Sequence, residues 1–183
     1  YRFFLIEFIK RLISLRYRRT VLGYFWALLN PLLSMAIISL VFSNIYNLDL
    51  KEFAIYFFSG VIVFNLFKDS VMECSNSFIQ NEYLLTKIYI PKFLFPISYL
   101  LFTTFDNILM TLTLLLILFL IGGKITAAIL ILPFSYALLL LFSVGIGLIV
   151  SIVSVYFRDV PYLIGVCFQG LLFLSPVFIK PTV

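Results

Sequence analysis

Five long apolar runs fill most of the chain, and short polar segments separate them. A helix needs about 20 apolar residues to cross the hydrocarbon core of a bilayer. Each run therefore predicts one transmembrane helix, although the last run could also enter the membrane and turn back. The predicted spans are residues 20–48, 53–74, 93–121, 125–157 and 160–179. We expect an all-α integral membrane protein with about five spans, folded as one transmembrane domain over residues 1–183.

The N-terminal segment, residues 1–19, has the pattern of an amphipathic helix. At 3.6 residues per turn its polar side chains share one stripe, and most apolar side chains lie away from it. That stripe consists of Glu7, Lys10, Arg11, Ser14 and Arg18. We expect an interface helix at the membrane surface, with Glu7 paired to Arg11 one turn later. A simple topological anchor is the alternative interpretation.

A second polar stretch, residues 75–92, separates the second and third apolar runs. Within it, residues 80–90 predict a short helix that ends before Pro91, because the residue preceding a proline disfavours helical geometry. Lys87 and Lys92 return this stretch to the basic side of the membrane. It is either a surface for a soluble partner or an ordinary loop, and composition alone does not choose between them.

The distribution of basic residues predicts the orientation in the membrane. Six of the thirteen Lys and Arg residues lie within the first nineteen positions. In the predicted topology ten basic residues fall on the N-terminal side and three on the other side. Because cytoplasmic segments carry an excess of Lys and Arg, we expect a cytoplasmic N-terminus. Nucleic-acid binding is a weak interpretation of this basic segment, since almost nothing soluble remains to present it.

The overall composition excludes several classes of protein. Hydrophobic residues make up 63% of the chain, charged residues make up 11%, and the mean hydropathy is +1.17. Soluble domains are about 45–50% apolar and about 25% charged. These values exclude a soluble enzyme, a disordered segment and a disulfide-stapled secreted domain. Histidine is absent, which excludes histidine catalysis and histidine metal sites.

The chain also lacks the motif of a nucleotide site. A P-loop needs G-x-x-x-x-G-K-[ST], so that backbone amides can surround the phosphates. The one Gly-Lys pair, Gly123-Lys124, lacks both the first glycine and the Ser or Thr that should follow. Neither a nucleophile–base pair nor a cluster of carboxylates is evident. We expect this chain to bind no cofactor or metal and to have no catalytic residue.

Asp106 is the one acid expected deep inside a span. Burying an aspartate there costs about 2.5–3.5 kcal/mol on insertion scales, so it should face protein or water rather than lipid. It either lines a transport path or stabilises the bundle by hydrogen bonding a Ser, Thr or Tyr of another helix. The fourth predicted span carries Ser143, Gly147 and Ser151 at four-residue spacing, a pattern that lets membrane helices approach closely.

Aromatic residues make up 19% of the chain and concentrate at the two ends of the first predicted hairpin. Aromatic rings offer flat apolar surfaces to sugar rings, and tyrosine hydroxyls supply hydrogen bonds. A sugar-conducting path is therefore reasonable, with Asp106 as a further member. The candidate aromatic residues are Tyr24, Trp26, Tyr46 and Tyr56. Interfacial aromatic belts are the alternative interpretation for each of them.

Several segments resemble one family of transporters. The segment RYRRTVLGYFWALLNP at residues 16–31 is similar to the start of the permease subunit of polysaccharide ABC exporters. These are ABC-2 type proteins that export O-antigen, capsule or teichoic acid chains. Further matching segments are LLTKIYIP at residues 84–91, YFRDV at 156–160 and LSPV at 174–177. The resemblance covers essentially the whole chain.

The resemblance implies a homodimer with a channel at its interface in the bacterial plasma membrane, surrounded by membrane lipid. A separate ATPase subunit would bind ATP and Mg²⁺, and the substrate would be a lipid-linked polysaccharide. Residues 1–19 would be the interface helix, and residues 80–90 a cytoplasmic coupling helix that docks into the ATPase. The expected ATPase contacts are Glu82, Tyr83, Leu84, Leu85 and Lys87.

The family pattern has six spans, with gate helices on the outer side between the fifth and the sixth. This sequence stops near Ser175-Pro176, so we expect it to be a fragment that lacks the sixth span. Two other functions stay open. One is an ABC-2 exporter of a small molecule or lipid, which would share the topology. The other is a membrane-embedded enzyme acting on lipid-linked sugars, which would need interfacial acids or histidines.

Overall fold

A computed structural model describes residues 1–18, 22–23, 25–46, 49–121, 131–175 and 177, apart from the side chains of residues 17, 27, 46, 120 and 121. Within these residues the regular structure consists of seven α-helices. They are α1 (Arg2–Tyr17), α2 (Phe25–Tyr46), α3 (Leu50–Gln80), α4 (Glu82–Lys87), α5 (Leu94–Ile121), α6 (Leu132–Tyr156) and α7 (Val160–Leu174).

Four of these helices, α2, α3, α5 and α6, are long and apolar enough to cross a membrane. The fifth apolar run forms α7, whose 15 residues cover about 22 Å at about 1.5 Å per residue. That length is less than the hydrocarbon thickness of about 30 Å. The all-α integral membrane class predicted from the sequence is therefore confirmed, with four helices of full span length and one shorter helix.

The helix α3 forms the centre of the bundle and packs against α2, α5, α6 and α7. Interhelical hydrogen bonds connect α3 with the antiparallel helix α5. The amide of Asn107 donates to the carbonyl of Ile62 at 2.9 Å, and the hydroxyls of Ser70 and Thr103 are 3.0 Å apart. These two pairs define the register of α5 relative to α3, that is, which residues of the two helices lie at the same height. α3 is longer at both ends than the predicted span 53–74.

The packing directions alternate as successive membrane crossings require. Phe42 of α2 stacks on Phe53 near the start of α3, so these two helices are antiparallel. α6 runs parallel to α3, because Phe142 contacts Phe67 and Gly147 contacts Cys74 further along both helices. These directions agree with the up-and-down order that the sequence predicts.

The small residues of α6 face α3. Ser143, Gly147 and Ser151 are buried, and a Cβ atom added at Gly147 would lie 3.0 Å from the Sγ atom of Cys74. Only glycine allows this approach between the two backbones. The four-residue spacing therefore marks the contact with α3, as predicted.

The N-terminal helix α1 lies beside the first half of α5 and runs in the same direction. The ring of Phe8 is 5.5 Å from that of Phe95, while Arg16, two turns later, reaches Phe102 and Asp106. The predicted polar stripe of Glu7, Lys10, Arg11, Ser14 and Arg18 is exposed. The predicted pair of Glu7 with Arg11 is wrong: Glu7 accepts a 2.8 Å hydrogen bond from Lys10, which is nearer along the helix.

The chain beyond α7 returns to α3. Val177 packs with Phe53 and Phe57, and a Cβ at Gly60 would lie 3.2 Å from its side chain. Within the described residues, the predicted fifth span, 160–179, is helical from Val160 to Leu174, and residues 176, 178 and 179 lie outside the described part of the chain.

Candidate functional site

Asp106 of α5 is bound by an arginine of the N-terminal helix. The guanidinium of Arg16 donates to Oδ2 of Asp106 and lies 5.4 Å from the centre of the Phe102 ring. The carboxylate is almost fully buried, while the arginine side chain is 46% exposed. Asp106 thus faces protein, as expected, and one of its partners is the cation Arg16.

The contacts of its neighbours give the level of Asp106 beside α3. Thr103 contacts Ser70 and Asn107 contacts Ile62, so Asp106 lies between these two levels and shares a cavity with Asn65. The charged residues Lys68 and Asp69, which pair at 3.4 Å, lie about one turn further along α3. Asp106 is therefore near the middle of both α3 and α5.

The cavity beside this ion pair is too small to conduct a sugar within this chain. Arg16 and Asp106 line it together with Asn65, Asp69 and Asn107, and its volume is about 10 Å³. A site of about 10–15 Å³ holds a single water molecule. Asp106 connects α1 to α5 beside this small cavity.

A polar network that the sequence analysis missed crosses the bundle one turn further along α5. The hydroxyl of Tyr136 on α6 donates to Oδ1 of Asn107 at 2.8 Å and lies 2.6 Å from the Thr111 hydroxyl. Asn107 in turn donates to the Ile62 carbonyl, so three helices share one network. A polar residue inside an apolar span was the available signal, since such residues seldom face lipid.

An aromatic cluster joins α1, α4 and α5 at the end of the bundle where α3 ends and α5 begins. Its buried members are Phe8, Phe95 and Tyr99, and Leu84 and Leu85 of α4 pack against them. The Tyr99 hydroxyl donates to Gln80 and accepts from the amide of Asn81, both at 3.0 Å. The short helix α4 is thereby held against α1 and α5.

The five predicted ATPase contacts fall on two faces of α4. Leu84 and Leu85 point inward to the aromatic cluster. Glu82, Tyr83 and Lys87 are exposed, and Tyr83 is 72% accessible. The Lys87 ammonium lies 5.9 Å from the Tyr83 ring. The outer face of α4 therefore presents one acid, one aromatic ring and one base.

The predicted aromatic path residues are not brought together. Trp26 is exposed at the start of α2, whereas Tyr56 is half-buried on α3 near the opposite end of the bundle. Tyr24 and the side chain of Tyr46 lie outside the described residues. The two described side chains are thus separated by most of the length of α2.

Among the residues that the structure describes, no group of three or more Asp, Glu or Cys side chains could hold a metal ion.

A sequence model of the ABC-2 type transporter family matches residues 5–183. This chain belongs to the ABC-2 type transporter family. The prediction of a transporter membrane subunit rather than an enzyme is thereby confirmed, and so is the resemblance that the sequence segments indicated.

Curated relatives of this ABC-2 protein are O-antigen export system permease proteins named RfbA. The protein from Myxococcus xanthus is 28% identical over 178 residues, which cover 97% of this chain and 68% of the relative. Two proteins from Klebsiella pneumoniae are 22% and 21% identical over 90% of this chain. The chain spans 64% of the length of each Klebsiella relative.

In this ABC-2 protein the described part of the chain holds four span-length helices and, at one end of the bundle, an assembly of α1, α4 and the start of α5.

Proposed function

We propose that this chain is the channel-forming membrane subunit of an ATP-driven exporter that moves a lipid-linked polysaccharide across the bacterial plasma membrane. The observation that carries the proposal is the similarity to O-antigen permeases along 90–97% of the chain. The chain works as a homodimer, with ATP and Mg²⁺ bound by a separate subunit. The excess of Lys and Arg at residues 1–19 supports a cytoplasmic N-terminus.

The geometry suggests how work from the ATPase reaches the membrane. The exposed side chains Glu82, Tyr83 and Lys87 contact the ATPase, and the inward leucines of α4 press on Phe8 of α1. Because close-packed interiors resist compression, movement of α4 moves α1 with it. α1 then acts on α5 through the pair of Arg16 with Asp106. One rigid connection thus runs from the cytoplasm to the middle of α5.

The polar stripe of α1, with Glu7, Lys10, Arg11 and Arg18, faces away from the aromatic cluster and is free to meet lipid headgroups or the ATPase. Trp26, Tyr56, Tyr24 and Tyr46 are assigned to the sugar path. Since the two described side chains, Trp26 and Tyr56, do not converge on one site within the chain, these two would contact the polymer at different depths.

The proposal is tested by purifying the intact protein from mild detergent and identifying the chains that come with it by mass spectrometry. A P-loop ATPase in equal amount, whose activity rises with a lipid-linked polysaccharide, supports the proposal. Stimulation by a small molecule or a simple lipid instead would favour an ABC-2 exporter of that compound. Purification without any ATPase would overturn the proposal.

A further inference from the structure

A cavity opens between α3 and the start of α7, at the cytoplasmic end of the bundle. Its volume is about 540 Å³, within the range of roughly 300–1,000 Å³ that small-molecule sites occupy. Met72, Asn76 and Ile79 line it from α3, and Arg158, Tyr162 and Gln169 line it from the opposite side. The cavity is separate from the ion pair of Arg16 with Asp106 and from the aromatic cluster.

Two polar amide side chains line this cavity, although both belong to membrane helices. Gln169 sits about 14 Å along the apolar helix α7, at about 1.5 Å per residue, and the described part of the chain offers it no hydrogen bond. Polar side chains within membrane helices are costly and mark sites of function. Asn76 lines the same space, and its amide nitrogen donates one hydrogen bond to the carbonyl of Met72 at 3.2 Å. Its second N–H and its Oδ1 atom remain to bind a ligand together with the amide of Gln169.

The charges gather at the cytoplasmic mouth of the cavity. Arg158 lies in the turn before α7, and its ion pair with Glu82 is 4.0 Å long with both side chains mostly exposed. Such an exposed pair is worth about 0–1 kcal/mol, so Arg158 can leave Glu82 at little cost. The first turn of α7 adds partial positive charge at the same mouth. Asp159 adds a carboxylate, which accepts hydrogen bonds from hydroxyl groups but repels a bare phosphate.

The remaining lining is apolar. Met72 and Ile79 of α3 and Val166 of α7 form one wall, and Gly165 leaves room beside the methyl end of Met72. A ligand that fits this cavity has an anionic group at the mouth, hydroxyl groups beside it and an apolar portion that can extend towards lipid.

From this arrangement we infer that the α3–α7 cavity binds the glycosyl phosphate head of a lipid-linked saccharide. Arg158 holds the phosphate, Gln169 and Asn76 hydrogen bond the first sugar, and Asp159 accepts from its hydroxyls. A phospholipid could bind Arg158 through its phosphate, but it has no sugar hydroxyls to hydrogen bond with the two amides and the carboxylate. This inference rests on the proposed function and adds to it a site for the lipid-proximal end of the substrate.

Binding of phosphate by Arg158 also breaks its contact with Glu82. Since Glu82 lies on the outer face of α4, the presence of substrate is communicated to the surface that meets the ATPase. The same arginine therefore serves both recognition and coupling.

The test measures dissociation constants on the intact exporter complex in phosphatidylcholine nanodiscs. Three probes are compared: a short polyprenyl phosphate carrying one hexose, the same polyprenyl phosphate without sugar, and phosphatidic acid. The hexose is expected to tighten binding roughly tenfold, as one or two well-made hydrogen bonds would. R158Q should weaken the hexose probe roughly tenfold or more through loss of a charge-assisted contact. Q169L should remove the advantage of the sugar and leave the sugarless probe unchanged.

Matched variants keep the result interpretable. K92Q removes one positive charge on the same side of the membrane but outside the cavity, and it should change none of the three constants. If R158Q does not fold, R158K retains the charge but not the planar fork, and a several-fold loss is expected for the hexose probe.

Equal affinity for the three probes, no binding of any of them, or a hexose preference that survives Q169L would each overturn the inference. These results leave the proposed function standing if the wild-type complex still exports polysaccharide. If it exports none, the proposed function itself fails.

Discussion

Arg16 and Asp106 are 90 residues apart in the sequence, yet the guanidinium of one donates to the carboxylate of the other. The pair joins the end of the N-terminal helix to the middle of α5. Since α1 also carries Phe8 into the aromatic cluster, the helix is held at two points along its length. Any movement of α1 must keep both contacts or break the ion pair.

Removing either member of this pair should have unequal effects on stability. Arg16 is half-exposed and can be hydrated when Asp106→Asn removes its partner, whereas Arg16→Gln leaves a nearly buried carboxylate without its arginine. We expect R16Q to lower the free energy of unfolding by on the order of 2 kcal/mol, below the about 3–5 kcal/mol seen for fully buried pairs. D106N should lower the free energy of unfolding clearly less than R16Q does. Thermal denaturation of both single variants and the double variant in nanodiscs measures this.

The double variant provides the control. If the two residues act as a pair, R16Q/D106N should be more stable than R16Q alone, because the uncompensated carboxylate is gone. Equal and additive losses would show that the contact contributes nothing to the stability of the protein.

Gly147 should not tolerate a methyl group. Its added Cβ would lie 3.0 Å from Sγ and 3.1 Å from Cβ of Cys74, in a tight contact of α6 with α3. Gly147→Ala should destabilise the protein by about 1–3 kcal/mol, as overpacked sites do. Gly145→Ala is the matched control, because no atom lies within 4 Å of its added Cβ. Unfolding of the two variants in the same detergent should separate them, and equal stability would contradict the packing.

Phe8 should be the most sensitive position of α1. Its ring is buried among Phe95, Tyr99 and Phe4, whereas Phe3 on the same helix is 80% exposed. Phe8→Ala should lower the free energy of unfolding by about 2–4 kcal/mol. Replacing a buried Phe with Ala generally costs about 3–5 kcal/mol. Phe3→Ala should leave the free energy of unfolding nearly unchanged. A similar loss in both variants would mean that α1 does not pack on α5 as described.

The two faces of α4 should respond differently to substitution. Tyr83→Ala and Lys87→Ala alter only the exposed face, so they should weaken association with the ATPase and leave the stability of the permease unchanged. Leu84→Ala should lower stability by about 2 kcal/mol, because Leu84 packs against the aromatic cluster. ATPase retention on immobilised permease and thermal denaturation distinguish the two effects.

Lys51→Ala is the control for Lys87→Ala, since it removes the same charge at the exposed start of α3, on the opposite side of the membrane. Unchanged ATPase retention with Y83A and K87A, or an equal loss with K51A, would contradict the role of α4.

The hydroxyl of Tyr136 should contribute a modest interhelical energy. Tyr136→Phe removes the bond to Asn107 and the contact with Thr111 without changing the ring. Membrane helix hydrogen bonds average about 0.6 kcal/mol, with a maximum near 1.7, so a loss of about 1 kcal/mol is expected. Tyr156→Phe, at the exposed end of α6, is the control and should change nothing. The free energies of unfolding are measured in the same nanodiscs.

The sequence by itself determined the class of protein, the alternation of helices and the contact face of α6. Each depends on a local physical requirement: the length of an apolar run, the excess of basic residues on one side, or small residues repeated every four positions. The membrane makes these requirements strict, because backbone groups in lipid must be satisfied within a helix.

Only the tertiary structure decided which polar residues meet. The sequence shows that Asp106 needs a partner but cannot name Arg16, since many chain paths bring different helices beside α5. The sequence likewise predicted that five residues of α4 all contact the ATPase. In the structure Leu84 and Leu85 instead point inward and pack against the aromatic cluster. Such pairings depend on how helices pack together, and that information is spread over the whole chain rather than held in any one segment.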